Sequence, residues 1–257
     1  MRIVILGAGS VGTNLHHAFE LKGIRTELVH ARPLTADPSA AEALPEADVY
    51  IYAIADQALR EVISKVNAPR ALHLHTSGSM PISVFKEDKP HSGILYFFQS
   101  FSREVMIDDW SSIPCFIEGH NIDDIAAIYS LAQCLTSHIY EADQHDRERL
   151  HIAGVFANNY TNLMYRIAAD ILKDTQIPFE ALLPLIDNTA AKIHKIAPAD
   201  AQTGPAQRGD EAVMKHHLAV LGNAQCTIHN SKEDFSPEEL CAVYQALAAL
   251  IAKGQNH

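Results

Sequence analysis

The sequence predicts an α/β protein in two parts, a mostly parallel β-sheet followed by an all-helical second domain. Short β-branched or apolar runs alternate with helical or polar segments from residue 2 to about residue 141, and this alternation is typical of a parallel sheet covered by helices. Beyond residue 143 the strand pattern stops, and long segments with helical apolar periodicity replace it. We therefore expect one domain at 1–142 and a second at 143–257.

Seven strands are expected in the first domain and four helices in the second. The strands are the short runs at 2–6, 25–30, 48–55, 70–76, 93–98, 113–118 and 137–141. The helices cover 143–173, 179–195, 210–224 and 236–253. The last helix has the clearest limits, because Ser236 and Glu239 have the spacing of a capping box and Gly254 follows its end.

The composition predicts a folded, acidic protein that binds neither nucleic acid nor membrane. Hydrophobic residues make up 47% of the chain and charged residues 20%, which is ordinary for a globular protein. The formal net charge is −11, and no cluster of Lys and Arg is present to contact a nucleic-acid backbone. The first apolar run, Ile3–Leu6, is too short for a signal peptide or a transmembrane span. We expect a cytoplasmic protein in which any anionic ligand needs a local basic group.

The cysteine and histidine spacings predict no metal site. The 15 histidines are scattered, and their two adjacent pairs, 16–17 and 216–217, lack the i, i+4 spacing that converges on one ion. The four cysteines contain no Cys-x-x-Cys pair, so neither a zinc site nor a disulfide framework is indicated, and reduced thiols are expected. They are Cys115, Cys134, Cys226 and Cys241.

A dinucleotide-binding turn is expected at the end of the first strand. Gly7, Gly9 and Gly12 form the pattern Gly-x-Gly-x-x-Gly between an apolar strand and the opening of a helix. In Rossmann folds these glycines permit the tight turn, the close approach of the pyrophosphate and the packing of helix on strand. The helix N-terminus favours the negative charge of the phosphates. The predicted cofactor contacts are Gly7, Ala8, Gly9, Ser10, Val11 and Gly12.

The end of the second strand favours NADP over NAD. NAD-specific sites usually carry an acidic residue there, which binds the ribose hydroxyls. Here the strand runs into His30-Ala31-Arg32, without Asp or Glu. Arg32 is expected to hold the 2′-phosphate of NADP, with His30 as a second donor. The alternative is that Arg32 is a solvated loop charge.

The ends of the third and fourth strands are expected to line the same crevice, because ligands bind outside the carboxyl ends of parallel strands. After the third strand, Ile54 and Ala55 are predicted cofactor contacts, and Asp56 is predicted to be a helix N-cap. After the fourth strand, Ser77 is a predicted cofactor contact and His75 a predicted site residue that reaches the crevice. A buried, hydrogen-bonded His75 is the alternative. Thr76 is expected beside them, and Gln99, Ser100 and Ser102 follow the fifth strand as further candidate contacts.

A polar stripe is expected on the first helix of the second domain. At 100° per residue, the directions of His151, Asn158 and Asn162 agree within about 20°, and no Lys or Glu occurs between 150 and 165. A solvent-facing stripe usually contains those residues, so a half-buried cleft for a small polar substrate is predicted. His151 is the predicted proton donor or acceptor, because histidine titrates near neutral pH. The alternative is the wet face of an amphipathic helix.

The loop at 202–210 supplies one more candidate. Arg208 is predicted to bind an anionic end of the substrate, since a guanidinium pairs bidentately with a carboxylate. The alternative is an ion pair between Arg208 and Asp210, with a helix cap at that position.

Five motifs together resemble one family over nearly the whole chain. They are Ile5-Leu6-Gly7-Ala8-Gly9-Ser10-Val11-Gly12, His75-Thr76-Ser77-Gly78-Ser79, Gln99-Ser100-Phe101-Ser102, Leu150-His151-Ile152-Ala153-Gly154-Val155-Phe156-Ala157-Asn158-Asn159 and Gln202-Thr203-Gly204-Pro205. The chain resembles the uncharacterised bacterial family of Rossmann-like NADP oxidoreductases with a helical domain of unknown function. More distantly, it is similar to the group of deazaflavin-dependent NADP oxidoreductase, pyrroline-5-carboxylate reductase and β-hydroxyacid dehydrogenase.

This resemblance implies a Rossmann fold, NADP as cofactor and a homodimer, but no particular substrate. In the distant group, a long helix of the second domain carries substrate-binding residues and dimerises. Where β-hydroxyacid dehydrogenases have a catalytic Lys on that helix, this chain has no Lys between 150 and 165. Their mechanism therefore does not transfer.

The leading hypothesis is an NADP-dependent oxidoreductase that passes hydride to or from a small polar substrate bound between the domains. A homodimer is also expected from the apolar circumference of helices 143–173 and 236–253, which exceeds what one small domain covers. The alternative function is a non-catalytic NADP(H)-binding redox sensor or regulatory protein. A metal hydrolase is disfavoured because no metal-ligand spacing is present.

Overall fold

The structure of the protein is a computed structural model that describes residues 1–32, 34, 44–85, 87, 89–173, 175–223 and 235–254. Cys226, one of the predicted reduced thiols, lies outside the described residues. The chain divides into two compact units, Met1–Phe156 and Ala157–His257. The first unit holds a β-sheet, and the described residues of the second form helices without any strand. The predicted fold class is therefore confirmed.

All seven predicted strands are present in one sheet, whose order is β2-β1-β3-β4-β5-β6-β7. The first five strands in this order, β2, β1, β3, β4 and β5, are parallel to one another. Strand β6 runs antiparallel to β5 and parallel to β7. Their limits are β1 Ile3–Leu6, β2 Thr26–Val29, β3 Val49–Tyr52, β4 Leu72–His75, β5 Ser92–Phe97, β6 Cys115–Gly119 and β7 Ile139–Glu141.

Helices cover both faces of the sheet, which explains why β1 is an uninterrupted apolar run. Successive side chains of a strand point to opposite faces. Ile3 and Ile5 accordingly pack with helices α1 (Ser10–Leu21) and α3 (Ile122–Gln133). Val4 and Leu6 pack on the other face with α2 (Asp56–Lys65). A short 3-10 turn, Ile82–Val84, follows β4.

The predicted helix at 143–173 is divided in the structure. It consists of α4 (Gln144–Gly154), a π-helical segment at Val155–Tyr160 and α5 (Thr161–Leu172). A π-helix closes i→i+5 hydrogen bonds and turns less per residue than an α-helix. The rotation of 100° per residue that aligns His151 with Asn158 and Asn162 therefore does not hold across this segment.

The other three predicted helices are present, and two short helices that were not predicted lie at 198–201 and 205–208. Residues 179–195 begin as a 3-10 turn before α6, and the predicted capping box of Ser236 and Glu239 is present at the start of α10. No helix among the described residues is long and apolar enough to cross a bilayer. The limits are α6 Leu183–Ile193, α7 Pro198–Ala201, α8 Pro205–Arg208, α9 Glu211–Gly222 and α10 Pro237–Lys253.

The first compact unit extends beyond the predicted domain limit at 142, where the sheet ends, to Phe156. The reason is that α4 packs against the sheet. Arg147 on α4 is fully buried and forms an ion pair with Glu118 of β6. Arg147 also donates to the carbonyl oxygens of Ala142, at 2.7 Å, and Met80, at 3.2 Å.

Candidate functional site

A cleft of about 930 Å³ lies at the carboxyl ends of the parallel strands in the first unit. Its position follows from the strand order. The chain adds β2 on one side of β1 and then β3 on the other side, so the strand order reverses at β1. Such switch points are where doubly wound α/β sheets bind ligands. The lining includes Gly7, Ala8, Gly9, Ser10, Val11, His30, Arg32, Ile54, Ala55, Asp56, Thr76, Ser77, Tyr96, Gln99, Arg103 and His151.

The three glycines of the turn have different steric surroundings. Gly7 has a φ of +119°, and a Cβ placed on it would lie 2.2 Å from the carbonyl oxygen of Ala53. A Cβ on Gly12 would lie 1.8 Å from the carbonyl oxygen of Gly7. At Gly9 nothing lies within 4 Å of the added atom. Gly7 and Gly12 are thus required by the fold, whereas Gly9 leaves room that a ligand can occupy.

The N-terminus of α1 opens from this turn. Gly9 occupies the N-cap position, and no side chain caps the helix. The first amides of a helix have no partner within the helix, and their positive end attracts anions. The arrangement of strand, glycine turn and uncapped helix therefore fits a phosphate group, as the sequence pattern predicts.

The predicted cofactor contacts line this one cleft, apart from Gly12, which packs helix on strand. Arg32 and His30 lie at the end of β2, on one side of the turn, while Thr76 and Ser77 lie at the end of β4, on the other side. A dinucleotide whose adenosine end contacts Arg32 would extend across the turn toward β4 and β5. The cleft therefore has a β2 end and a β4–β5 end.

The β4–β5 end holds Tyr96 of β5 and His151 of α4. The Tyr96 hydroxyl oxygen lies 3.2 Å from Nδ1 of His151. Burial raises the pKa of Tyr96 to about 12, so the hydroxyl keeps its proton over the physiological range. It can therefore donate to His151 Nδ1, which fixes the proton of a neutral His151 ring on Nε2. The Nε2–H of such a ring is then a hydrogen-bond donor beside the cleft.

Two glycines make room for this pair. A Cβ on Gly78 would lie 2.7 Å from Cζ of Tyr96, and a Cβ on Gly154 would lie 2.7 Å from the ring of Phe98. Tyr96 and Phe98 pack edge to face, with ring centroids 6.0 Å apart. Gly154 belongs to the same helix as His151, so the close approach of this helix to Phe98 brings His151 to Tyr96.

His75 does not line the cleft, where it was predicted to lie, and the structure instead has the alternative, a buried, hydrogen-bonded histidine. Its side chain is fully buried and stacks on Phe85, with ring centroids 5.6 Å apart. Burial lowers the pKa of His75 to about 4, and the nearby carbonyl of Pro81 opposes this shift only partly. The neutral ring accepts a hydrogen bond at Nδ1 from the backbone N–H of Ser77, at 3.2 Å. His75 thus orients the segment that carries Ser77, a cleft residue.

Three other residues, Asp56, Ser100 and Ser102, differ from their predicted positions. Asp56 is the first residue of α2 and not its N-cap, which is Ala55. Its carboxylate accepts a hydrogen bond from the Ser79 hydroxyl at 2.7 Å, so Asp56 ties α2 to the loop after β4. Gln99 lines the cleft, whereas Ser100 and Ser102 are not among its lining residues.

Tyr96 and Arg103 line the cleft but were not among the residues predicted from the sequence. Arg103 Nη2 donates to the carbonyl oxygen of Ala8 at 2.6 Å. Tyr96 could have been found from its position, because it lies near the carboxyl end of β5, where parallel sheets bind ligands. For Arg103, the one indication in the sequence is its position in the loop that follows a predicted strand.

The predicted substrate residues of the helical unit lie on separate elements. Asn158 is in the π-helical segment and Asn162 in the first turn of α5, and both side chains are exposed. Arg208 is the exposed last residue of α8. Asp210 caps α9 by accepting from the Val213 N–H at 3.2 Å, as the alternative interpretation of this loop expects. Substrate binding by Asn158, Asn162 and Arg208 stays a prediction.

The parallel sheet, the glycine turn and the cleft at the switch point define a dinucleotide-binding protein of the Rossmann class. Residues 113–251, more than half of the chain, match the family model DUF2520, a domain of unknown function. The chain belongs to the DUF2520 family. The predicted membership in a Rossmann-like NADP oxidoreductase family with a helical domain of unknown function is thereby confirmed. A comparison with curated proteins finds no match.

Solved structures show the same relationship. A Bacteroides fragilis protein assigned provisionally to the NADP oxidoreductases is 34% identical, with a TM-score of 0.82 and 98% of each chain covered. An imine reductase from Myxococcus stipitatus in complex with NADP⁺ is 16% identical, with a TM-score of 0.61 and coverage of 100% of this chain and 94% of that chain. A reductive aminase from Aspergillus terreus in complex with NADPH and ethyl-5-oxohexanoate is 12% identical, with a TM-score of 0.60 and coverage of 99% and 93%. The last two share the fold.

Proposed function

We propose that this protein is an NADP-dependent oxidoreductase that transfers hydride between the nicotinamide and a small polar substrate. The observation that carries the proposal is the composition of the cleft. A phosphate-binding turn and Arg32 lie toward one end, and the proton-bearing pair of Tyr96 and His151 lies toward the other. The likeness, at 34% identity, to a protein assigned provisionally to the NADP oxidoreductases supports the choice of cofactor.

The residues present fit NADP. The open space at Gly9 admits a pyrophosphate, and the uncapped N-terminus of α1 favours its charge. Arg32 would bind the 2′-phosphate through paired N–H donors, with His30 beside it. When bound, the cofactor supplies or accepts a hydride at its nicotinamide ring.

Residues of the protein must supply the proton that the reduction of the substrate requires. Reduction of a C=N or C=O bond adds one hydride to carbon and one proton to nitrogen or oxygen, so a proton donor must stand beside the substrate. His151 is the proposed donor: the protonated ring gives its Nε2 proton to the substrate nitrogen or oxygen and takes a new proton from solvent. The Tyr96 hydroxyl, hydrogen-bonded at Nδ1, holds the ring in place. Imine reductases and a reductive aminase share the fold, so imines and pairs of ketone and amine are the first substrates to test.

The helical unit would contribute the rest of the substrate site. We propose that Asn158 and Asn162 orient the substrate and that Arg208 binds an anionic end, as expected from the sequence. Asn158→Ala should then lower turnover without changing the affinity for NADPH, because the first unit holds the cofactor. The matched control is Asn188→Ala on α6. Equal turnover in the two variants would remove Asn158 from the site.

The test of the overall proposal is isotope transfer. Purified protein is incubated with NADPH deuterated at C4 and with a panel of imines, ketone and amine pairs, and extracted metabolites. Mass spectrometry should find deuterium in one product, and Tyr96→Phe or His151→Ala should slow the transfer strongly. Tight NADPH binding without transfer to any compound would instead support a redox sensor.

A further inference from the structure

A buried asparagine joins the phosphate-binding turn to the loop after β5. Asn14 lies on α1 and is fully buried. Its Nδ2 donates to the carbonyl oxygens of Ser10, at 2.9 Å, and Ser102, at 2.6 Å, and its Oδ1 accepts from the Ile107 N–H at 3.1 Å. Asparagine is a poor helix former, and its burial is costly unless the amide is hydrogen-bonded. The three bonds therefore fix the loop at 102–107 against the first turns of α1.

Aromatic packing holds the same loop from its other end. Trp110 is 2% exposed, and its Nε1 donates to the Ile107 carbonyl oxygen at 2.8 Å. Its ring stacks on Phe101 at 5.1 Å between centroids and meets Phe97 of β5 edge to face at 4.9 Å. The loop from Phe101 to Trp110 is thus held at both ends on rigid elements.

Arg103 is the basic residue that this loop places over the glycine turn. It follows Ser102, which Asn14 holds, and its guanidinium reaches the carbonyl oxygen of Ala8 at 2.6 Å. A guanidinium has five N–H donors in a plane, and one of them is used by Ala8. The side chain lines the cleft and is exposed, so its other donors are available to a ligand there.

We propose that Arg103 is a cofactor-binding residue that contacts the pyrophosphate, positioned by Asn14. Ala8 lies between Gly7 and Gly9, where the second glycine leaves space for the pyrophosphate. Arg32 lies at the end of the neighbouring strand β2, about 5 Å along the sheet from β1, where the 2′-phosphate is expected. The two arginines would then bind different phosphates of one cofactor. In a chain with a net charge of −11, they supply the local positive charge that an anionic ligand needs.

This inference rests on the proposed function, because it takes the dinucleotide as the ligand. The experiment uses NADPH and NADH, which share the pyrophosphate and differ in the 2′-phosphate. Arg103→Met should raise the Kd of both cofactors by a similar factor, about tenfold or more, because each loses a charge-assisted hydrogen bond. Arg32→Met should raise the Kd of NADPH far more than that of NADH. Arg25→Met removes the same charge at the opposite end of β2 and should change neither.

Calorimetric titration measures these constants, and thermal unfolding without ligand shows whether each variant is folded. Arg103→Lys retains the charge without the planar donor set, so an intermediate Kd supports a direct phosphate contact. An unchanged Kd in folded Arg103→Met would overturn the assignment, as would an effect on NADPH alone. Failure of the wild-type protein to bind either cofactor would refute the proposed function itself.

Discussion

The hydroxyl oxygen of Tyr96 lies 3.2 Å from Nδ1 of His151, which joins the end of β5 to α4 at one end of the cleft. The two residues are 55 positions apart in the chain. They meet because Gly154 lets α4 approach Phe98 and because Gly78 leaves space for the phenol ring. The pair thus depends on two residues that have no side chain.

Removal of the Tyr96 hydroxyl should impair proton transfer specifically. Tyr96→Phe keeps the ring and its packing but removes the group that orients His151. We expect turnover to fall by about 10²-fold, the lower range for loss of general acid catalysis, while the Kd for NADPH stays constant. The control is Tyr140→Phe, because Tyr140 is half exposed and stacks on Phe116 in the same aromatic cluster. Full activity of Tyr96→Phe would show that the contact is only packing.

Alanine substitutions should separate the roles of Gly9 and Gly12. Gly9→Ala should leave the free energy of unfolding within about 1 kcal/mol of wild type, because the residue has a φ of −80° and the added methyl meets open space. The same methyl should block the pyrophosphate and abolish NADPH binding. Gly12→Ala should instead destabilise the fold by about 1–3 kcal/mol or more through overpacking. Urea unfolding and calorimetric titration measure the two effects, and undiminished NADPH binding by Gly9→Ala would contradict the cofactor assignment.

Cofactor choice should depend on Arg32. The wild-type protein should bind NADPH more tightly than NADH, and Arg32→Asp should narrow or invert this preference by repelling the 2′-phosphate and accepting from the ribose hydroxyls. The expected loss of NADPH affinity is about 10- to 100-fold, the range for a hydrogen bond to a charged group. Arg25→Asp is the matched control. Equal wild-type affinities for the two cofactors would refute the prediction.

The buried His75 should make stability depend on pH. Burial holds its pKa at about 4 in the folded protein, against 6.5 for an ordinary histidine exposed to water. The unfolded chain therefore binds the proton first, and stability is lost as the pH falls from about 6.5 toward 4. At pH 4.5 the loss from this group is about 2–3 kcal/mol relative to pH 7. The substitution His75→Asn retains an acceptor for the Ser77 N–H and removes the titrating group.

The measurement is the free energy of urea unfolding at pH 7 and pH 4.5. Wild type should lose about 2–3 kcal/mol more than His75→Asn over this interval. His120→Asn, at an exposed position, should lose as much as wild type. The same loss in His75→Asn and wild type would show that another group causes the pH dependence.

The helical unit should dimerise. Many of its large apolar side chains are exposed in the single chain, and monomeric proteins rarely expose extended apolar surface. Six of them, each 43–64% exposed, are Ile177, Leu185, Ile193, Val220, Leu247 and Leu250. Light scattering should give about twice the chain mass of 28.2 kDa. A double variant, Leu185→Glu with Leu250→Glu, should shift the mass toward the monomer, and a wild-type monomer at micromolar concentration would exclude the dimer.

The sequence alone determined the sheet, the phosphate turn and the helical second part. These features depend on local patterns. Four consecutive apolar residues, Ile3–Leu6, before the glycine triplet predict strand, turn and helix directly, and Ser236 with Glu239 predicts a helix start. All seven strands overlap the runs predicted for them. The apolar runs are uninterrupted in β1 and β3, which are fully buried, because burial on two faces requires such runs.

The tertiary structure decided which polar residues reach the cleft. Strand alternation shows that His73 and His75 share a face of the sheet. It does not show whether that face is covered, and in the structure His75 is buried against Phe85. The π-helical segment at Val155–Tyr160 breaks the periodicity from which the stripe of His151, Asn158 and Asn162 was predicted. The contacts of Tyr96 with His151 and of Arg103 with Ala8 span 55 and 95 residues. Such contacts have no local signal, because only the packing of distant elements brings their side chains within hydrogen-bond distance.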